Sequence, residues 1–185
     1  WNKEDPTFWG NQQYDFVDTA LRFDYILTTA EECVDLYRAR GHQNVSVWQF
    51  GFSPKLFHPI GKPMQDKAVF AGSWYGDQNE RCQDMCALFD MVLSSGLDLV
   101  IYDRQAASSD PKCRFPMKYK PFVRPGVPFD QLGQVLGGYA YAVNINTVKS
   151  SPTMFARRVY ELMACGQVVI SNESHGLRRH FSDRV

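Results

Sequence analysis

The chain has 185 residues, 44% of them hydrophobic and 14% aromatic, a composition that builds a packed core and excludes a disordered segment. Twenty Lys and Arg balance twenty Asp and Glu. The cation excess behind non-specific nucleic-acid or anionic-membrane binding is therefore missing, which leaves room only for a local basic site of the size of a phosphate. The length holds one sizeable domain, or one domain with part of a second.

The apolar runs alternate with helical patterns, as in a parallel sheet covered on both faces. Residues 24–29 read as a strand. A helix follows over 30–40, with Glu31 and Glu32 in its first turn and Gly41 as its stop. Residues 45–50 read as a second strand, completing one βαβ unit. Residues 51–66 carry Pro54, Pro59, Gly61 and Pro63 without periodicity and read as a linker between domains. A new strand over 67–72 leads through a loop at 73–77 to a helix over 79–95, stopped by Gly96. A strand over 97–102, a Pro-containing loop to about residue 124, a short strand over 123–127 and a helix over 129–136 come next. A strand over 141–146, a helix over 151–165 and a strand over 167–171 complete the order. The fold class expected is α/β: a Rossmann-like parallel sheet with helices on both faces, preceded by part of a second Rossmann-like domain. The boundary is expected near residue 60, giving regions 1–60 and 61–185.

The five cysteines (Cys33, Cys82, Cys86, Cys113 and Cys165) form no Cys-x-x-Cys pair, and their number is odd. They read as reduced, mostly buried apolar residues, which points to the cytoplasm. No apolar run approaches the ~20 residues of a membrane span, and no signal-peptide pattern is present. The chain starts at Trp1 rather than Met, so its natural N-terminus is expected to lie further upstream. His42, His58, His175 and His180 lack carboxylates at metal-ligand spacing, and there is no Asp-x-Asp motif. Neither a metal nor a cofactor is expected. Arg178 and Arg179 read as a solvated helix face.

The stretch from Asn144 to Gly166 carries the most chemistry. A polar loop leaves a strand and opens a helix, with Ser151 as a good N-cap and Pro152 suited to the first helical position. Phe155, Val159, Leu162 and Met163 share one face of that helix, and Gly166 suits its stop. Free N–H groups at such a helix start, with the positive end of the dipole behind them, suit a phosphate. Arg157 and Arg158 would add cationic donors one turn on. Glu161 would stand about 12 Å along the axis from Thr153, the reach of a nucleoside diphosphate, and a carboxylate accepts both hydroxyls of a ribose diol. The competing reading of Glu161 is a surface ion pair with Arg157 or Arg158. Gly72 and Ser73 end a strand where backbone and hydroxyl could meet a phosphate. Arg81 stands at a helix start, where a cation is disfavoured unless an anion is near. Asn146 ends a strand beside the proposed phosphate loop.

With these residues in view, the segment from Asn144 to Gly166 resembles the donor-site signature of group-1 glycosyltransferases of the GT-B fold, and its part Arg157-Arg158-Val159-Tyr160-Glu161-Leu162-Met163-Ala164-Cys165-Gly166 looks like one branch of them. Trp1 to Pro6, Phe23 to Thr29, Phe70 to Tyr75 and Ile101-Tyr102-Asp103-Arg104 look like the branch related to spore-maturation-type glycosyltransferases. The resemblance covers almost the whole chain. It implies an acceptor-side domain ending near residue 60 and a donor-side domain after it. It further implies a nucleoside-diphosphate sugar as donor, a glycan, lipid or protein hydroxyl as acceptor, and Val127-Pro128 near the nucleobase. In the wider family two glutamates, with seven residues between them, lie on one helix, and the second binds the ribose. Glu161 matches the second, while Thr153 stands in place of the first. The donor-binding set so implied is Gly72, Ser73, Arg81, Asn146, Ser151, Thr153, Met154, Arg158 and Glu161. A nucleotide-sugar epimerase with a similar cleft, or a Rossmann-like assembly module without catalysis, are the alternatives.

Overall fold

The computed structural model describes residues 16–182. The Trp1 to Pro6 segment of the resemblance lies outside them. In chain order the elements are α1 (Phe16–Ala20), β1 (Ile26–Thr28), α2 (Glu32–Ala39), β2 (Val45–Val47), β3 (Gln65–Ala71), α3 (Asn79–Ser94) and β4 (Asp98–Asp103). Two 3-10 turns follow, Pro111–Cys113 and Met117–Phe122. Then come β5 (Val123–Pro125), α4 (Phe129–Leu136), β6 (Tyr139–Asn144), α5 (Arg158–Ala164), β7 (Val168–Ser171) and α6 (His175–Phe181). They form two compact units. Among the described residues, one takes 16–51, the segment Asn146–Phe155 and 173–182; the other takes Phe52–Ile145 and Ala156–Asn172. Two later segments thus join the unit that holds the first βαβ stretch.

In the first unit β1 and β2 pair in parallel, Ile26 opposite Val45 and Thr28 opposite Val47, as a βαβ unit requires. Ile26, Ala30, Cys33, Tyr37, Val45 and Met154 form its core. The segment 146–155 is tied in by polar contacts. Thr153 Oγ1 accepts the Glu31 N–H at 2.9 Å and donates to the Thr29 carbonyl at 2.9 Å. Ser151 Oγ donates to Glu32 at 3.0 Å. Helix α6 packs on the same segment: a Cβ on Gly176 would stand 2.8 Å from the Met154 carbonyl oxygen. Arg179 pairs with Glu31 and Arg178 with Glu173, all four side chains well exposed.

In the second unit five strands pair in the order β5-β4-β3-β6-β7, every neighbouring pair parallel. Alternation along β3 separates two cores. Ala68 and Phe70 face Met85, Phe89 and Val92 of α3. Val69 faces Leu132 and Leu136 of α4 and Leu162 of α5. This is the doubly wound arrangement expected, with strand order reversing between β3 and β6. In such sheets the carboxyl ends of the two strands at the reversal flank the binding crevice. Part of the expected linker is core: Phe57 is buried with Leu132 and Leu136. Helix α4 runs so close that a Cβ on Gly133 would stand 1.7 Å from the Leu56 carbonyl oxygen.

Candidate functional site

The loop after β3 begins at the strand reversal. Ser73 is 1% exposed, and its hydroxyl has no hydrogen-bond partner among the described residues. An orphaned buried hydroxyl costs about 1–3 kcal/mol, which an incoming acceptor would relieve. Gly72 has a packing reason as well, since a Cβ there would meet the Phe70 ring at 2.7 Å. Arg81 is not a solvated surface residue. It folds back to donate to the Ser73 carbonyl at 3.1 Å and lies 5.0 Å from the centre of the Tyr75 ring. Burial lowers its pKa, while Tyr75 opposes that shift. The Tyr75 hydroxyl accepts a long hydrogen bond from Arg104 Nη2 at 3.4 Å. Among the described residues neither Arg81 nor Arg104 has a carboxylate partner.

Helix α5 supplies the second group. Val159 and Leu162 are buried, and Glu161 between them is only 2% exposed. Its two carboxylate oxygens are divided between two arginines. Arg157 Nε reaches Oε1 at 3.0 Å, and Arg158 Nη1 reaches Oε2 at 2.5 Å. Glu161 is therefore not a surface ion pair, although both pairings expected of one are present. Two guanidiniums against one carboxylate leave one positive charge in excess. Burial lowers the Arg158 pKa most; Glu161 raises it, and Arg157 and Arg104 lower it further. Arg104 thus connects the two groups, bonded to Tyr75 and close enough to repel Arg158.

The helix expected from Ser151 does not form there. Residues 151–157 are irregular, and α5 starts at Arg158. The hydroxyl of Ser151 does accept the N–H groups of Thr153, at 3.4 Å, and Met154, at 3.0 Å, as an N-cap would. The chain then leaves the helical path because Thr153 bonds Thr29 and Glu31 and Met154 enters the core of the first unit. The expected helix over 151–165 is corrected accordingly. Ser151 and Thr153 head no helix and offer no row of free N–H groups to a phosphate. Thr153 and Glu161 share no helix axis, so the 12 Å spacing does not apply. Met154 is a core residue. Phe155 packs against His180 and Phe181 in the first unit, and Met163 is exposed, so the apolar face of α5 reduces to Val159 and Leu162. Asn146 is buried in the first unit, two residues beyond the end of β6.

Gly72, Ser73, Arg81, Arg158 and Glu161 all belong to the second unit; Asn146, Ser151, Thr153 and Met154 belong to the first. The sequence reading assigned no role to Tyr75, whose ring lies against Arg81, or to Arg104, which bonds the Tyr75 hydroxyl. The signals for Arg104 were its place directly after a strand and its position in the Ile101-Tyr102-Asp103-Arg104 segment of the resemblance. It also missed Asn144, buried at the end of β6 and donating to Ser171 Oγ at 2.9 Å.

Residues 95–185 match the family model described as Glycosyl transferase-like. The match begins directly after α3 and includes Arg104, Arg158 and Glu161, but not Gly72, Ser73 or Arg81. It covers just under half of the chain, which is similar to glycosyltransferases over that part. No curated protein matches the chain. No helix among the described residues is long and apolar enough to cross a membrane.

Proposed function

We propose that this chain supplies the donor-binding half of a GT-B glycosyltransferase of the spore-maturation-type branch. It would move a sugar from a nucleoside-diphosphate sugar to a hydroxyl of a glycan, lipid or protein. The observation that carries this reading is the buried carboxylate of Glu161 shared between two arginines, inside the region similar to glycosyltransferases. Each carboxylate oxygen keeps a lone pair for one hydroxyl of a ribose diol. Gly72, Ser73 and Arg81, with Arg104, form the diphosphate side of the site. Among the described residues, the Ser73 hydroxyl has no partner and no carboxylate pairs with the two arginines. Arg158 adds a third guanidinium next to Glu161. As the glycosidic bond breaks, negative charge grows on the leaving diphosphate. Fixed cations in a partly desolvated site stabilise that charge more than they stabilise the ground state.

Calorimetric titration with ADP, GDP, CDP and UDP tests the reading. Glu161→Gln is the comparison, because it keeps the volume and one acceptor oxygen. Binding of one diphosphate, weakened about tenfold or more in the variant, is the expected result. A folded protein that binds none of the four rejects it.

One observation favours a second reading. Ser151 and Thr153 are spent on contacts within the first unit, as suits a Rossmann-like assembly module without a donor site. Such a module would give no heat with any diphosphate and no loss on changing Glu161.

A further inference from the structure

We propose that Arg157 is a positioning residue: it sets the plane of the Glu161 carboxylate for the ribose diol and does not itself bind the diphosphate. This rests on the donor-site reading above. Arginine just before a helix works against the dipole, and arginine placed before glutamate at this spacing is the weaker order for a helical ion pair. Helix stability therefore does not explain the pair. The contacts around Arg157 do. Its guanidinium lies 5.8 Å from the centre of the Phe129 ring. Phe129 meets Phe57 edge-on, with centroids 5.8 Å apart, and Phe57 is buried. A continuous line of contacts thus runs from the core through two aromatic rings to Arg157, and from its Nε to Oε1 of Glu161 at 3.0 Å.

The two arginines are placed differently. Arg158 is 26% exposed and takes Oε2; Arg157 is 46% exposed and takes Oε1. With one oxygen held, the carboxylate can still turn about its last torsion, whose preference is broad. With both held it cannot, and the remaining lone pair on each oxygen has a fixed direction. A cis-diol needs two such directions at once. Losing the Arg157 contact should therefore weaken recognition of the diol and leave the diphosphate contacts intact.

The test pairs each of ADP, GDP, CDP and UDP with its 2′,3′-dideoxy counterpart and measures both affinities by calorimetry. Circular dichroism melts confirm folding of every variant. Wild-type protein is expected to prefer the ribo form of its diphosphate by about tenfold or more. Arg157→Ala should reduce that preference by about fivefold or more, with the dideoxy affinity unchanged within about twofold. Arg157→Lys, which keeps a cation near Oε1, should recover part of the preference. An equal loss for both ligand forms would make Arg157 a diphosphate ligand and overturn the proposal. An unchanged preference, or an increased one, would overturn it too, the latter making Arg157 a cover that the ribose displaces. If wild-type protein binds no diphosphate, the donor-site reading fails and takes this inference with it. If the wild type discriminates and Glu161→Gln abolishes that while Arg157→Ala does not, only this inference fails.

Discussion

Glu161 and Ser73 make opposite demands on stability, and each demand can be measured. Glu161 compensates the partly buried Arg158. Replacing it with alanine strands that charge, and losses of about 3–5 kcal/mol are expected when one member of a buried ion pair is removed. Urea unfolding of Glu161→Ala should show a decrease in that range, with Glu161→Gln less affected. The hydroxyl of Ser73 has no partner among the described residues. Ser73→Ala should therefore leave stability unchanged or raise it by up to about 1 kcal/mol, while weakening diphosphate binding. A thermal midpoint that falls by several degrees in Ser73→Ala would show that the hydroxyl serves the fold.

Helices α2 and α4 each depend on a residue from far along the chain. The N–H of Glu31, at the start of α2, is accepted by Thr153 at 2.9 Å, more than a hundred residues later. Thr153→Val keeps the shape but removes that acceptor, and a loss of about 1–2 kcal/mol is expected in urea unfolding, the value of an N-cap contact. For α4 the determinant is the missing side chain of Gly133, where a Cβ would lie 1.7 Å from the Leu56 carbonyl oxygen. Gly133→Ala should cost about 3 kcal/mol or more, despite the better helix propensity of alanine. A variant more stable than wild type would mean that α4 does not hold this position. Helical periodicity alone placed α4 at 129–136, where it is found. It could not show why a glycine stands in its middle, because the reason lies in the backbone of another segment.

Alkaline pH should loosen the second unit through two buried tyrosines. Tyr119 donates to Asp90 at 2.8 Å and to the Cys86 carbonyl at 3.1 Å. Tyr139 shares a 2.9 Å hydrogen bond with Tyr102. Burial, and then these bonds, raise both phenol pKa values above the ordinary range. A raised folded-state pKa means that the stabilisation is complete below the unfolded value, near 10, and is lost as pH rises beyond it. The thermal midpoint should fall steadily above about pH 10, and Tyr119→Phe should fall less steeply. At the acid end, Lys118 and then Tyr119 lower the Asp90 pKa. Its contribution, small because the side chain is half exposed, is present above the ordinary carboxylate value and lost as pH falls below it.

Much of the architecture was legible from local chemistry. Alternating apolar runs placed the strands of the parallel sheet. Gly96 and Gly166 marked the ends of two helices, and both adopt positive φ there, 86° and 82°. Glu161 stood out as a carboxylate flanked by arginines. The fate of residues 151–155 was not legible. Ser151 and Pro152 carry sound helix-start signals, and Ser151 does accept the Met154 N–H. The following residues leave the helix because Thr153 finds partners in Thr29 and Glu31 and Met154 finds a core containing Ile26 and Tyr37. Local propensity is worth fractions of a kcal/mol per residue, whereas buried hydrogen bonds and an apolar side chain together outweigh it. The sequence by itself therefore determined the order of strands and helices and the carboxylate with its two arginines. Only the tertiary structure decided which unit each polar residue serves, because that depends on partners more than a hundred positions away.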